Sequence, residues 1–405
     1  MDFLDKSFCV LPWMHLATHP IGVVTPCCIS DMTDGASDAI HEDGERMFLL
    51  KDKLPSITNS VKFNKIRKQM LENIEPSVCR NCYFYEKNNV GSKRSASNIQ
   101  YQKYIDECFA NTNPDGSLKK IDYRYIELRL GAVCNLKCVS CNSYSSSKWN
   151  EDTTAFYHTK FRKLYPNVNL GEPDMQWYRS TKFYDELFLY CDKLEEIWIN
   201  GGEPTLIKEH GYFLQKFIDE GRSKNISLHY SLNVTQFPDK FIKLWKEFSS
   251  VKIHLSIDDF GDRNEYIRYP SKWALIFKNL GKIHQYNHIF NLTVLQTVSL
   301  LNICNIAEFG LFTKKINMKW DMNFVHYPNH LQVKHLPEEL KAKVREDIKV
   351  LNGEEKVKIL TELNQEQDPN ALQDFVDFVT ILDSQRKNKI TDHLPEWKPY
   401  FKHYE

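Results

Sequence analysis

"YIELRLGAVCNLKCVSC", residues 125–141, joins a short alternation of apolar and polar residues to a loop that carries three thiols in eight positions. Residues 125–131 have the period-two pattern of a β-strand, ended by Gly131. Cys134, Cys138 and Cys141 follow in C-x3-C-x2-C spacing. Three thiolates on one loop can wrap a corner of an iron–sulfur cube, because soft sulfur ligands suit iron–sulfur and zinc centres. A structural zinc ion takes four ligands, and no histidine or fourth cysteine lies close by in sequence. The missing ligand points to a four-iron cluster with one iron left open.

Five further strands are read C-terminal to this one, at 195–200, 226–233, 251–258, 292–299 and 317–325. Amphipathic stretches lie between them. "TLIKEHGYFLQKFIDEG" ends on Gly221, "PDKFIKLWKEF" begins with Pro238, and "SKWALIFKNLGKIH" offers Ser271 as N-cap. Consecutive βα units build a parallel sheet through right-handed crossovers, so six units predict an α/β fold, a partial (β/α)6 TIM-like barrel. The longest connection, Cys141 to Lys193, contains "NVNLGEPDMQWYRS" and is expected to cap or border a site.

Ahead of the barrel, "WMHLAT" and "GVVTPCC" read as a hairpin. "SVKFNKIRKQMLEN" reads as a helix with Phe63, Ile66 and Met70 on one face. After about residue 330, "PEELKAKVREDIKVL" and "NALQDFVDFVTILDSQ" read as two amphipathic helices joined by an acidic turn. The expected division is a small module over 1–115, a barrel over 116–330 and a helical extension over 331–405.

Of the 405 residues 42% are hydrophobic and 26% charged, as in folded globular chains. No apolar run is long enough to span a bilayer, and "MDFLDKSFCV" lacks the basic and apolar regions of a secretory signal. The expected location is therefore the cytoplasm. Fifty-three basic residues balance fifty-three acidic ones, which provides no global field for a nucleic acid or an anionic membrane. Eleven cysteines without an export signal point to metal ligands or buried thiols rather than a disulfide framework. Cys108, Cys191 and Cys304 stand alone and read as small buried hydrophobes.

The cysteine loop after the first strand of a partial barrel resembles the radical S-adenosylmethionine (SAM) superfamily, whose pattern is the same C-x3-C-x2-C. Four more segments carry the likeness. "INGGEP" ends the second strand with Gly201, Gly202, Glu203 and Pro204, like the family's GGE motif that receives the SAM amino group. "SIDD" ends the fourth, where the resemblance places Ser256 and Asp258 toward the ribose hydroxyls. Asn233 ends the third strand at a frequent polar position, and Arg268 sits where relatives place a cation against the SAM carboxylate. Two departures concern the adenine contacts: Ser140 replaces a common aromatic residue, and the fifth strand, "TVLQTVSLLN", lacks the family's glycines.

The N-terminal cysteines have their own pattern: Cys9, Gly22, Cys27, then Cys79 and Cys82 as C-x2-C. With "LPW" and "TPCC" this resembles the twitch module, the shorter relative of the SPASM domain, which carries an auxiliary four-iron cluster. The module normally follows the barrel and here precedes it. Cys28 is the odd thiol beside Cys27. Four cysteines with one C-x2-C also suit a tetrahedral zinc ion.

The resemblance implies an enzyme of oxidoreductase or maturase type, reduced by a flavodoxin or ferredoxin, that cleaves SAM at a [4Fe-4S] cluster to a 5′-deoxyadenosyl radical. It implies hydrogen abstraction leading to a two-electron oxidation or bond formation on a peptide or protein side chain. Two alternatives stay open: dehydrogenation or rearrangement of a small alcohol, sugar or nucleoside, and a non-catalytic iron–sulfur or zinc scaffold.

Overall fold

The computed structural model describes residues 7–88, 91–168 and 175–402. The chain forms two compact units: Met1–Gly131, Leu170–His229 and Lys243–Ser250 make the first, Ala132–Asn169, Tyr230–Ile242 and Val251–Glu405 the second. These units cut across the three segments expected from sequence.

In the first unit, β1 (His15–Thr18) and β2 (Val24–Thr25) form the expected hairpin. Gly22 makes its turn with φ +88°, and an added Cβ would stand 3.0 Å from the Trp177 ring. β3 (Tyr125–Leu130) pairs in parallel with β1, His15 opposite Tyr125, and with β4 (Glu196–Gly201), Tyr125 opposite Glu196. The hairpin therefore extends the parallel sheet, a pairing of residues more than a hundred positions apart. β5 (Ser227–Leu232) contributes residues to both units. Helices Thr181–Phe188 and Glu209–Asp219 pack through Tyr184 on Phe213 and Phe188 on Phe217, with ring centroids 5.5 and 4.8 Å apart. Gly221, φ +69°, follows the second helix.

The helix Val61–Leu71 is capped by Ser60 and buries Phe63, Ile66 and Met70 as its pattern predicts. It also buries Arg67 completely. That guanidinium donates to the carbonyls of Pro12, Thr58 and Gly116 and to the side-chain oxygens of Asn59 and Asn64, so one cation ties the helix to three other segments.

In the second unit β6 (Ser250–Ser256), β7 (Asn291–Val298) and β8 (Lys319–Phe324) run in parallel register, Lys252 opposite Asn291 and Thr293 opposite Lys319. Their apolar positions meet a core in which Trp149, Phe156, Phe161 and Tyr165 pack with Phe375, Phe378 and Trp397. Residues 142–168 of the long connection after Cys141 are thus packed on the C-terminal helices, while Trp177 and the helix Thr181–Phe188 belong to the first unit. Residues 169–174 of "NVNLGEPDMQWYRS" lie outside the described residues.

Two local expectations fail. The helix Trp273–His284 starts after Lys272, not Ser271; Glu265 accepts from the Trp273 N–H at 2.7 Å, and the Ser271 hydroxyl has no partner. The expected acidic turn contains a third helix, Gly353–Leu363, where an Asn352/Glu355 capping box outweighs the acidic composition and Ile359 and Leu363 reach the core. Among the described residues no helix is long and apolar enough to cross a membrane.

Candidate active site: a cysteine loop and a second thiol pocket

The loop that carries Cys134, Cys138 and Cys141 belongs to the second unit and has no regular secondary structure, so its shape depends on specific hydrogen bonds. The Lys137 and Val139 N–H groups donate to the carbonyls of Tyr269 and Ile267 at 2.7 and 2.8 Å. The Ser146 hydroxyl donates to the Leu136 carbonyl at 2.5 Å and the Trp149 indole to the Cys138 carbonyl at 2.8 Å. The Leu136 N–H points at the Cys134 sulfur, 3.4 Å away. Burial raises Cys138 to about 11 and pushes Cys141 up further. Thiolates in this setting need a positive centre, which a metal cluster supplies.

The structure brings Asn233, Asp258 and Arg268 into the same unit as these thiols. The Asn233 amide donates to Asn135 at 2.8 Å and lies 3.8 Å from the Cys134 sulfur. Asp258 is fully buried; one oxygen accepts from the Thr297 N–H at 2.8 Å and the other from Arg268 at 2.9 Å. Arg268 is itself buried, and its Nε has no partner. An unpartnered buried guanidinium N–H carries a desolvation cost that an anionic ligand removes, so the residue fits a carboxylate. Ser256 is half-buried at the end of β6. Gln296 and Asn302, which sequence reasoning did not single out, hold the Asp258 carbonyl at 2.8 Å each. They form a polar brace under the turn that follows β6, and nothing in their local pattern announces it.

Gly201, Gly202, Glu203 and Pro204 lie in the first unit, Gly201 ending β4 and the other three following it. Gly201 takes φ +129°, where an added Cβ would meet the Leu130 nitrogen at 2.7 Å, and the Gly202 N–H donates to the Gly131 carbonyl. Glu203 is buried and its carboxylate accepts from the Thr205 N–H at 3.1 Å and from its hydroxyl, capping the next turn.

The N-terminal thiols form a second group in the first unit. Cys9, Cys27, Cys79 and Cys82 line one pocket, together with Leu11, Ile29, Ser30, Lys93 and Arg94. Asn98 and Arg94 fix the chain on either side of Cys9, Asn98 accepting from the Val10 N–H and both donating to the Phe8 carbonyl at 2.8 Å. Cys79 precedes the helix Arg80–Lys87 and Cys82 lies in its first turn. Burial pushes the thiols of Cys9, Cys27 and Cys79 up. Cys28 is not in this pocket; burial, with the negative charge of nearby Glu127, raises its thiol to about 12. Cys108 and Cys191 are buried as expected, whereas Cys304 is only half-buried. Among the described residues no three histidine, cysteine or acidic side chains converge closely enough to hold a single metal ion.

Comparison with known proteins matches residues 128–309 to the radical SAM superfamily and residues 9–83 to SPASM, an iron–sulfur cluster-binding domain. No curated protein matches in sequence. Similar solved structures include anSMEcpe with bound AdoMet, at 15% identity over 65% of this chain and 62% of that one, TM-score 0.34. Another is Streptococcus suis SuiB bound to S-adenosylmethionine, at 13% identity over 85% of this chain and 67% of that one, TM-score 0.34. A third is SuiB bound to precursor peptide SuiA, at 12% identity over 81% of this chain and 66% of that one, TM-score 0.33. The chain thus spans less than two thirds of the length of anSMEcpe. The chain carries a radical SAM domain with a SPASM domain ahead of it, and the cofactors of these domains are SAM, a [4Fe-4S] cluster and auxiliary iron–sulfur clusters.

Proposed function

We propose that the chain is a radical SAM enzyme in which Cys134, Cys138 and Cys141 hold the [4Fe-4S] cluster that binds SAM. Cys9, Cys27, Cys79 and Cys82 hold an auxiliary cluster. The observation that carries this reading is the sorting of seven thiols into two sets: three on a loop pinned by backbone hydrogen bonds and four around one pocket. The match of residues 9–83 to an iron–sulfur cluster-binding domain favours a multi-iron unit over one zinc ion at these four thiols. When bound, cluster and SAM supply the one-electron cleavage that yields a 5′-deoxyadenosyl radical.

The chain's own residues bind and orient. Arg268 offers its free Nε to the SAM carboxylate, and Asp258, with both oxygens already engaged, acts by holding Arg268 in place. Asn233 and Ser256 serve as polar contacts for the rest of the cofactor. In the first unit the Glu203 carboxylate caps Thr205, so the turn Gly201–Pro204 is left with its backbone carbonyls to offer a cation. The substrate we assign is a peptide or protein side chain that loses two electrons or forms a new bond. This assignment rests on the SPASM match beside the barrel, whose cluster can take an electron from a substrate radical. A flavodoxin or ferredoxin serves as reductant. Eleven cysteines all free of disulfides suit the reducing cytoplasm.

Iron and sulfide analysis of anaerobically reconstituted protein tests the two thiol sets. Wild type should carry about eight irons, and the triple variant C134A/C138A/C141A and the double variant C79A/C82A about four each. Four irons with one zinc in wild type would contradict the auxiliary assignment.

A further inference from the structure

The cysteine loop is held from one side by a residue that no catalytic motif contains. Arg386 closes the helix Ala371–Arg386, beyond the end of the radical SAM match at residue 309. Its side chain is almost wholly buried. Its Nη2 donates to the carbonyl of Lys137 at 2.6 Å and its Nε to Asp152 at 2.8 Å. Asp152, equally buried, takes the Lys137 ammonium on its other oxygen at 2.8 Å. The guanidinium lies 5.2 Å from the Trp149 ring, whose indole N–H holds the Cys138 carbonyl, and 5.1 Å from the Tyr269 ring, whose carbonyl takes the Lys137 N–H. Two successive carbonyls, those of Lys137 and Cys138, are therefore fixed by this one network.

A guanidinium keeps its charge at every working pH, and in a desolvated site that charge acts at close range. Reduction adds one negative charge to a cluster. Arg386 and Lys137 share one buried carboxylate, Asp152, and among the described residues the only other acid on the network, Glu151, is half exposed and screened, so positive charge prevails beside Cys138 and favours the reduced state.

We propose that Arg386 is a positioning residue of the C-terminal extension: it fixes the loop between Cys134 and Cys138 and raises the reduction potential of the cluster bound there. The inference rests on the assignment of Cys134, Cys138 and Cys141 to the SAM-binding cluster.

The test is an EPR-monitored redox titration of reconstituted full-length protein, with the auxiliary cluster as internal reference. R386M should shift the midpoint of the SAM-binding cluster to more negative potential, R386K should stay near wild type, and D152N, which removes a buried negative charge, should shift it the opposite way. If R386M fails to fold, R386K and D152N still decide. Equal midpoints in all variants, or shifts of one sign in R386M and D152N, would overturn the proposal. Loss of the SAM-responsive EPR signal in C134A shows separately that the cluster assignment holds; its persistence there would overturn that assignment instead.

Discussion

Cys27 and Cys28 are neighbours in sequence with opposite surroundings. Cys27 faces the thiol pocket, while Cys28 meets Glu127, and its carbonyl accepts from Arg129 at 3.3 Å. C27A should cost about four irons per chain and C28A none, measured by iron analysis after reconstitution. Equal losses would show that the two thiols exchange roles. Adjacency in the sequence limited the choice to one of the pair. The pocket, which Cys27 lines and Cys28 does not, makes it. The same holds for Asp258 and Arg268: their residue types were readable as site residues, but their mutual pairing depends on the helix Gly261–Ile267 folding back beneath β6.

The helix Val61–Leu71 shows what periodicity reveals and what it hides. Its apolar stripe announces three core positions, and Ser60 announces its start. Arg67, on the same buried side, reads as a surface cation because its partners are carbonyls from Pro12, Thr58 and Gly116, which have no signature in sequence. R67M should lower stability by about 3 kcal/mol or more, since several buried acceptors lose their donor at once. Urea unfolding of the apoprotein measures it, and a change under 1 kcal/mol would show that water replaces the guanidinium. The strands were legible because each alternates, and all six of the barrel reading reappear within two residues of their expected ends. The helix Gly353–Leu363 was hidden by its charged residues, and the start of Trp273–His284 by a cap supplied from Glu265 rather than from the nearest serine.

The molecule as a whole divides its two sets of thiols between two units, each set within its own network of hydrogen bonds, and the proposed iron chemistry divides with them. The arrangement of the SPASM domain before the barrel becomes physically reasonable once β1 is seen to pair with β3, because the module's hairpin continues the sheet of its unit. Spacing alone made the cysteine sets legible, whereas the extension's hold on the loop through Arg386 arises from contacts over 230 residues of chain. The central claim is that the loop of Cys134, Cys138 and Cys141 supports reductive cleavage of SAM. The direct measurement is 5′-deoxyadenosine released by reduced, reconstituted protein given SAM, beside the C134A, C138A and C141A variants. The account predicts formation by wild type and none by any of the three. Absence of 5′-deoxyadenosine from wild type with a fully loaded, reduced cluster, or its persistence in a variant, would contradict it.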